Sequence, residues 1–164
     1  MHALKYTLDI ISYSQKEDCR IMESVFSSWF QNPKTLNLVS PSLTYPFRFK
    51  DWISKNYSEK RGKIISIIIK KEGWIIGHIS YRIEKEKFHI FHLYIEKENR
   101  NLGLAQKLMK EIEKRSLMNN INTLTLNVIN KNKEAINLYK KLGYSKVGVN
   151  KSKWIKMEKQ HEKK

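Results

Sequence analysis

The sequence predicts a single α/β domain: a mixed sheet of about seven strands flanked by about four helices, with the fourth and fifth strands parallel. Three observations lead there. Three strand-like runs between Lys63 and Ile95, joined by short turns, read as an antiparallel meander. An amphipathic helix from about Gly103 to Asn119 then separates the last of them from another alternating run, Thr123 to Val128, and strands joined through a helix pair in parallel. At 164 residues the chain fits one domain with one core and is too short for two.

Each element has its own signature. Leu4 to Ile11 alternates loosely and reads as a first strand. Lys16 to Phe30 is expected to be helical, because Cys19, Met22, Val25, Phe26 and Trp29 fall near the i, i+3, i+4, i+7 spacing of one apolar face, which places Cys19 in the core. Gln31 to Pro46 holds all three prolines and is expected to be a loop, with a short helix following from about Phe49 to Asn56. The meander comprises the Ile-rich run Lys63 to Lys70, then Trp74 to Ile83 after a Glu72-Gly73 turn, then Phe88 to Ile95 after the charged turn Glu84 to Lys87.

In the long helix Ala105, Leu108, Met109, Ile112 and Ser116 share one face, so it covers a sheet. A last helix from about Lys133 to Leu142 carries Ala135, Leu138, Tyr139 and Leu142 on one stripe, and Gly143 suits a left-handed C-terminal cap. Tyr144 to Val149 and Lys153 to Glu158 should form a final hairpin. The domain thus spans residues 1–158, and the polar, basic tail 159–164 is expected to fray.

Composition narrows the function classes. Hydrophobic residues make up 40% of the chain, which sets it among folded proteins rather than disordered or fibrous ones. The single Cys19 excludes an intrachain disulfide, and the first ten residues lack a secretory pattern, so a cytoplasmic home is expected. No apolar run approaches the roughly 20 residues that span a bilayer. The formal charge of +16 favours anionic partners, coenzymes with phosphates among them, and disfavours polycations. Of 32 basic residues only six are Arg, and Lys lacks the fork used in specific phosphate or base readout. A basic nucleic-acid-binding module is an alternative that this charge raises, but the cations are scattered and no zinc-ligand or RNP-type motif accompanies them.

The densest chemistry lies in Ile95-Glu96-Lys97-Glu98-Asn99-Arg100-Asn101-Leu102-Gly103-Leu104-Ala105. A strand ends, a polar loop turns, and a helix opens at Gly103 and Ala105, whose small side chains let a ligand approach the backbone. The first N–H groups of a helix have no intrahelical acceptor and the dipole adds positive charge there, which suits a diphosphate. The P-loop and the dinucleotide G-x-G-x-x-G are both absent, so a nucleoside triphosphate or nicotinamide site is not expected.

Arg100-x-x-Gly103-x-Ala105, followed at matching spacing by Asn132, Ala135, Tyr139, Leu142, Gly143 and Tyr144, resembles the core of the GNAT acetyltransferases over about Phe88 to Gly148. Trp29, Pro46 and Trp52 are similar to a pattern of the branch that acetylates ribosomal-protein N-termini. The resemblance implies an N-acetyltransferase using acetyl-coenzyme A and no metal, with an amine acceptor that is a peptide or a small molecule. It implies that Leu93, Tyr94 and Ile95 meet the pantetheine arm, that Arg100, Asn101, Leu102, Gly103, Leu104 and Ala105 cradle the diphosphate, and that Asn132 contacts the arm. It also implies that Tyr139 is the general acid toward sulfur and that a base, where it lies on the fourth strand, falls at His89.

Bland readings stand beside these: Tyr139 continues an apolar stripe, and Asn132 is a helix N-cap. Strict alternation puts His89, Phe91, Leu93 and Ile95 on one face of the strand and His92 on the other, so the two histidines do not share a metal. A bulge would reverse that and bring in His92 as a base, and Glu84 or water are further options. A catalytically silent coenzyme binder is a third functional reading. Monomer and homodimer are both compatible with the sequence.

Overall fold

The computed structural model describes residues 3–148 and 153–162. Its elements run β1 (Tyr6–Ile11), α1 (Lys16–Trp29), α2 (Pro33–Val39), α3 (Phe49–Asn56), β2 (Lys63–Lys71), β3 (Trp74–Glu84), β4 (Lys87–Ile95), α4 (Leu104–Met118), β5 (Thr123–Ile129), α5 (Lys133–Lys141), β6 (Ser145–Lys146) and β7 (Trp154–Gln160). The seven strands form one sheet in the order β1-β2-β3-β4-β5-β7-β6. Among the described residues the only parallel pair is β4 with β5, as expected from the crossover helix α4. Five α-helices among the described residues flank the sheet, where about four are expected.

Two cores form, one on each face. Toward α4 and α5, Phe88, Leu124, Leu126 and Met157 of the sheet meet Leu108, Met109 and Ile112 of α4 and Ile136 and Tyr139 of α5. On the opposite face Met22 and Phe26 of α1, Leu36 of α2 and Trp52 of α3 pack over Ile68 and Tyr94. The second core is aromatic: the Phe26 ring lies 4.4 Å from Trp52 and 5.6 Å from Phe30, centroid to centroid. Cys19 is only half-buried there, its Sγ 3.1 Å from the Tyr13 carbonyl.

Two expectations are corrected. The segment Gln31 to Pro46 is not all loop. Asn32 accepts the Lys34 N–H on its side chain at 2.8 Å and Pro33 occupies the first turn, so a seven-residue helix starts there and buries Leu36. The tail does not fray from residue 159, because β7 continues through Gln160, paired with Thr123. Lys159 also reaches Glu113 of α4 at 3.0 Å. Val149 of the expected hairpin and residues 163–164 of the expected tail lie outside the described residues.

Candidate active site

The site begins with a strand that breaks step. Tyr94 pairs with His78 and Phe91 with Ser80, so His92 and Leu93 together stand opposite the single residue Ile79. His92 takes φ 55° to accommodate this bulge. The alternation therefore flips along β4. Phe88 and Ile90 face α4 and α5 before the bulge, and Leu93 and Ile95 do so after it. This corrects the expected facing: His89 does not share a side with Leu93 and Ile95 but turns the other way, with Phe91 and His92.

The same strand parts from its parallel neighbour. Pairing with β5 holds only from Lys87 to Ile90 against Thr123 to Leu126, after which β4 from Phe91 onward has no strand partner on that side among the described residues. The gap opens into a cleft of about 570 Å³ between the end of β4, the start of α4 and the start of α5. Arg100 braces the turn into α4: its Nε donates to the Ile95 carbonyl at 2.8 Å and its guanidinium lies 5.3 Å from the centre of the Tyr94 ring.

Asn101 (φ 63°) and Gly103 (φ 76°) adopt left-handed conformations, which turn the chain sharply into the helix. None of the main-chain N–H groups from Asn101 to Gln106 finds an acceptor within the described residues. A Cβ added to Gly103 would meet nothing within 4 Å, so this end of the helix is open. At the mouth of α5, Asn132 caps the helix by accepting the Ala135 N–H at 3.2 Å while also lining the cleft.

Leu93, Tyr94, Ile95, Arg100, Asn101, Gly103, Leu104, Ala105 and Asn132 are thus brought together around one cleft. Leu102 is not; it is 57% exposed. Tyr139 does not line the cleft either, although Ala135 and Leu138 of its helix do. Its side chain is 8% exposed, its hydroxyl bonds to no described residue, and burial alone raises its pKa well above the usual tyrosine value. Sequence reasoning missed Thr35, Leu38 and Val39 of α2, which form the opposite wall. The one available signal was the Asn32-Pro33 helix start.

A second cavity of about 290 Å³ lies on the other face of β4, between the chain following α2, the end of α3 and Trp154 of β7. Val39 borders both cavities. His89 sits in this second space, its Nδ1 2.9 Å from the Thr125 hydroxyl. Burial, then the Arg82 charge, pushes its pKa down to about 4. His92 borders the same cavity but is fully engaged: Nδ1 to the Tyr57 hydroxyl at 2.9 Å, Nε2 to Ser40 at 3.0 Å, and its ring stacked 3.9 Å from Trp52. Glu84 pairs with Lys87 at the opposite end of β4, about 20 Å along the strand from Leu93. Among the described residues no group of His, Cys, Asp and Glu could hold a metal ion.

Residues 24–144 match the model of the acetyltransferase (GNAT) family. The chain belongs to that family. Solved structures agree in fold. PaiA N-acetyltransferase from Thermoplasma acidophilum, in complex with coenzyme A, superposes with a TM-score of 0.68 at 20% identity, over 94% of this chain and 99% of that one. The ribosomal-protein-S18-alanine N-acetyltransferase from Escherichia coli gives 0.70 at 14% identity, over 95% and 94%. The GNAT domain of S. lividans PAT gives 0.76 at 12% identity, over 94% and 89%.

Membership in the GNAT family brings its general chemistry, acetyl transfer from acetyl-coenzyme A, and the cleft fits that coenzyme. An unpaired strand edge suits the amide-bearing arm, and a row of unpaired N–H groups suits the diphosphate. Among the described residues no helix is long and apolar enough to cross a membrane.

Proposed function

We propose that this protein is an N-acetyltransferase that moves an acetyl group from acetyl-coenzyme A to a primary amine, of a peptide or protein N-terminus or of a small amino compound, by direct attack. The reading is carried by one coincidence. The edge of β4 that loses its β5 partner and the helix start whose N–H groups lack acceptors open into the same cleft.

The coenzyme supplies an acetyl thioester. Leu93, Tyr94 and Ile95 offer their main chain to its arm, and Asn101 to Ala105, beside Arg100, offer N–H groups to its diphosphate. Asn132 flanks the arm. The Leu93 or Tyr94 N–H stabilises negative charge developing on the acetyl oxygen. The acceptor amine, normally protonated, enters from the second cavity and gives up its proton to His89 directly or through water. Burial keeps His89 neutral at neutral pH, so its ring is able to accept, and the same burial together with the Arg82 charge keeps it a weak base until that charge is offset. As the new N–C bond forms the C–S bond breaks, and the nitrogen sheds its second proton to water. Tyr139, which burial keeps protonated and which stands on the same helix as the cleft-lining Ala135 and Leu138, donates to the departing sulfur and is reprotonated from solvent.

A melting experiment coupled to an assay for free thiol tests the reading. Acetyl-coenzyme A should raise Tm, as any ligand selective for the native state does, and thiol should appear when amines are added. Stabilisation without thiol release from any amine would leave a silent coenzyme binder. Absence of stabilisation, together with nucleic-acid affinity that falls steeply with salt, would favour the basic binding module.

A further inference from the structure

The second cavity is basic in a way the overall charge does not explain. Lys55, Arg61 and Arg82 border it together with His89, Phe91 and Asn127, and no carboxylate does so among the described residues. None of the three cations forms an ion pair with a described residue. Arg82 is held in place: one guanidinium nitrogen donates to the Asn56 carbonyl at 3.2 Å, and its Cζ lies 5.3 Å from the centre of the Phe91 ring. Its Nε–H is buried with no acceptor among the described residues. A guanidinium fixed on two sides, whose Nη1 is neither buried nor bonded to a described residue, is preorganised for an anion.

Register makes the placement specific. Arg82 on β3 pairs directly with His89 on β4, so their Cα atoms lie about 5 Å apart. An anion on Arg82 and an amine beside His89 must then belong to one compact molecule. Resting on the transferase reading above, we infer that the acceptor is an amine that itself carries a carboxylate or a phosphate a few bonds from its nitrogen, the anion seating on Arg82 and Arg61. A cavity of about 290 Å³ admits a molecule of amino-acid size or the first residues of an acidic peptide. Polyamines and aminoglycosides would meet three unpaired cations and no counter-charge. Seating the anion also favours the chemistry. After burial, the Arg82 charge is the largest influence holding His89 low, with Lys156 adding to it and Glu84 opposing. Neutralising Arg82 makes His89 a better base just when the amine is present.

Matched acceptor pairs test this: aspartate against its diamide, β-alanine against β-alaninamide, and phosphoethanolamine against ethanolamine. Alanyl-aspartic acid α-amide against alanyl-asparaginamide adds a peptide arm. With saturating acetyl-coenzyme A, the anionic member should show a KM lower by about ten-fold or more, the worth of one charge-assisted hydrogen bond. Arg82→Gln should erase that advantage, bringing the KM values of the two members of each pair together. Arg61→Gln, at an exposed position, should reduce it in the same sense if the Arg82 variant fails to fold. Whether the single-residue or the peptide arm shows the larger ratio identifies the source of the anion. Thiol release with equal or better KM for the neutral members overturns the inference and leaves the transferase intact. No thiol release from any member, with acetyl-coenzyme A still raising Tm, takes down the transferase reading and this inference with it.

Discussion

At the scale of single residues, the two groups assigned to proton transfer lie in different environments, and each environment sets its role. The Tyr139 side chain is buried and its hydroxyl bonds to no described residue, so it stays protonated and, on the proposed reading, is the donor to sulfur. Replacing it with Phe removes one oxygen from a site with no hydrogen bond to lose, so stability should be unaffected or slightly raised. The kcat should fall by about 10²-fold, the usual worth of a positioned acid, with coenzyme affinity unchanged. Steady-state kinetics beside a coenzyme titration followed by Tm checks this, and an unchanged kcat removes Tyr139 from the mechanism. His89 differs in being bonded to Thr125 and half-buried among cations. His89→Ala should lower kcat/KM for the amine by about 10²-fold and leave coenzyme binding alone. Because its pKa is already near 4, the wild-type profile should show no inflection near pH 6.5 from this residue. An inflection there that disappears in His89→Ala would show that this environment has been misread.

Elements decide how well these residues are aimed, and here the sequence was legible unevenly. The meander, α4, β5 and α5 follow from periodicity, because each repeats its pattern for two turns or four alternations. The cleft followed from Arg100, Gly103 and Ala105 because a helix start after a strand has the same physics wherever it occurs. Helix α2 was not legible by the same means, since seven residues hold only one buried contact, Leu36, and three prolines over fourteen residues mask its Asn-Pro start. The bulge at His92 leaves no mark in composition either. It is one extra residue against a partner strand, and it alone decides that His89 and His92 share a cavity. The end of β7 was hidden because Lys159 and Gln160 are held by main-chain pairing and by Glu113, not by apolar burial.

The helix start of α4 makes its own prediction. Gly103→Ala places a Cβ in open space but at φ 76°, where a side chain costs about 1–2 kcal/mol. The loop should relax away from that conformation and take the N–H row with it. The KM for acetyl-coenzyme A should therefore rise by about ten-fold with little change in the KM for the amine. Equal changes in both would mean that the loop serves the fold rather than the coenzyme.

For the molecule as a whole, the balance of charge couples stability to pH through three histidines beneath the sheet's aromatic face. His78 is wholly buried, and its Nδ1 must donate to the His92 carbonyl at 2.9 Å, because a carbonyl only accepts. Its Nε2, 2.8 Å from the Tyr13 hydroxyl, is then the acceptor of the neutral ring. A proton added to Nε2 would face a hydroxyl already donating to it and would need Tyr13 to turn away. Burial pushes His78 down to about 4 and His89 likewise, and holds His92 well below its ordinary value. In the unfolded chain all three bind protons near pH 6.5.

The folded-state values are the lower ones, so this stabilisation is complete above about pH 6.5 and drains away as pH falls toward 4. His78 and His89 should each account for roughly 2–3 kcal/mol of that loss. The charge of +16 makes the loss harder to absorb, since every proton taken up on unfolding joins an already repelling set and is better spread in the expanded chain. Thermal melts from pH 8 to pH 4 should therefore show Tm flat down to about 6.5 and falling steeply below it. His78→Gln, which can keep an amide donor toward the His92 carbonyl, should start from a lower Tm at pH 8 but fall less between 6.5 and 4.5. A wild-type Tm that holds level through that window would mean that the buried rings take up protons in the native state as readily as in the unfolded chain. Tyr13 would then accept from His78 Nε2 rather than donate to it, while the Nδ1 bond to the His92 carbonyl would stand.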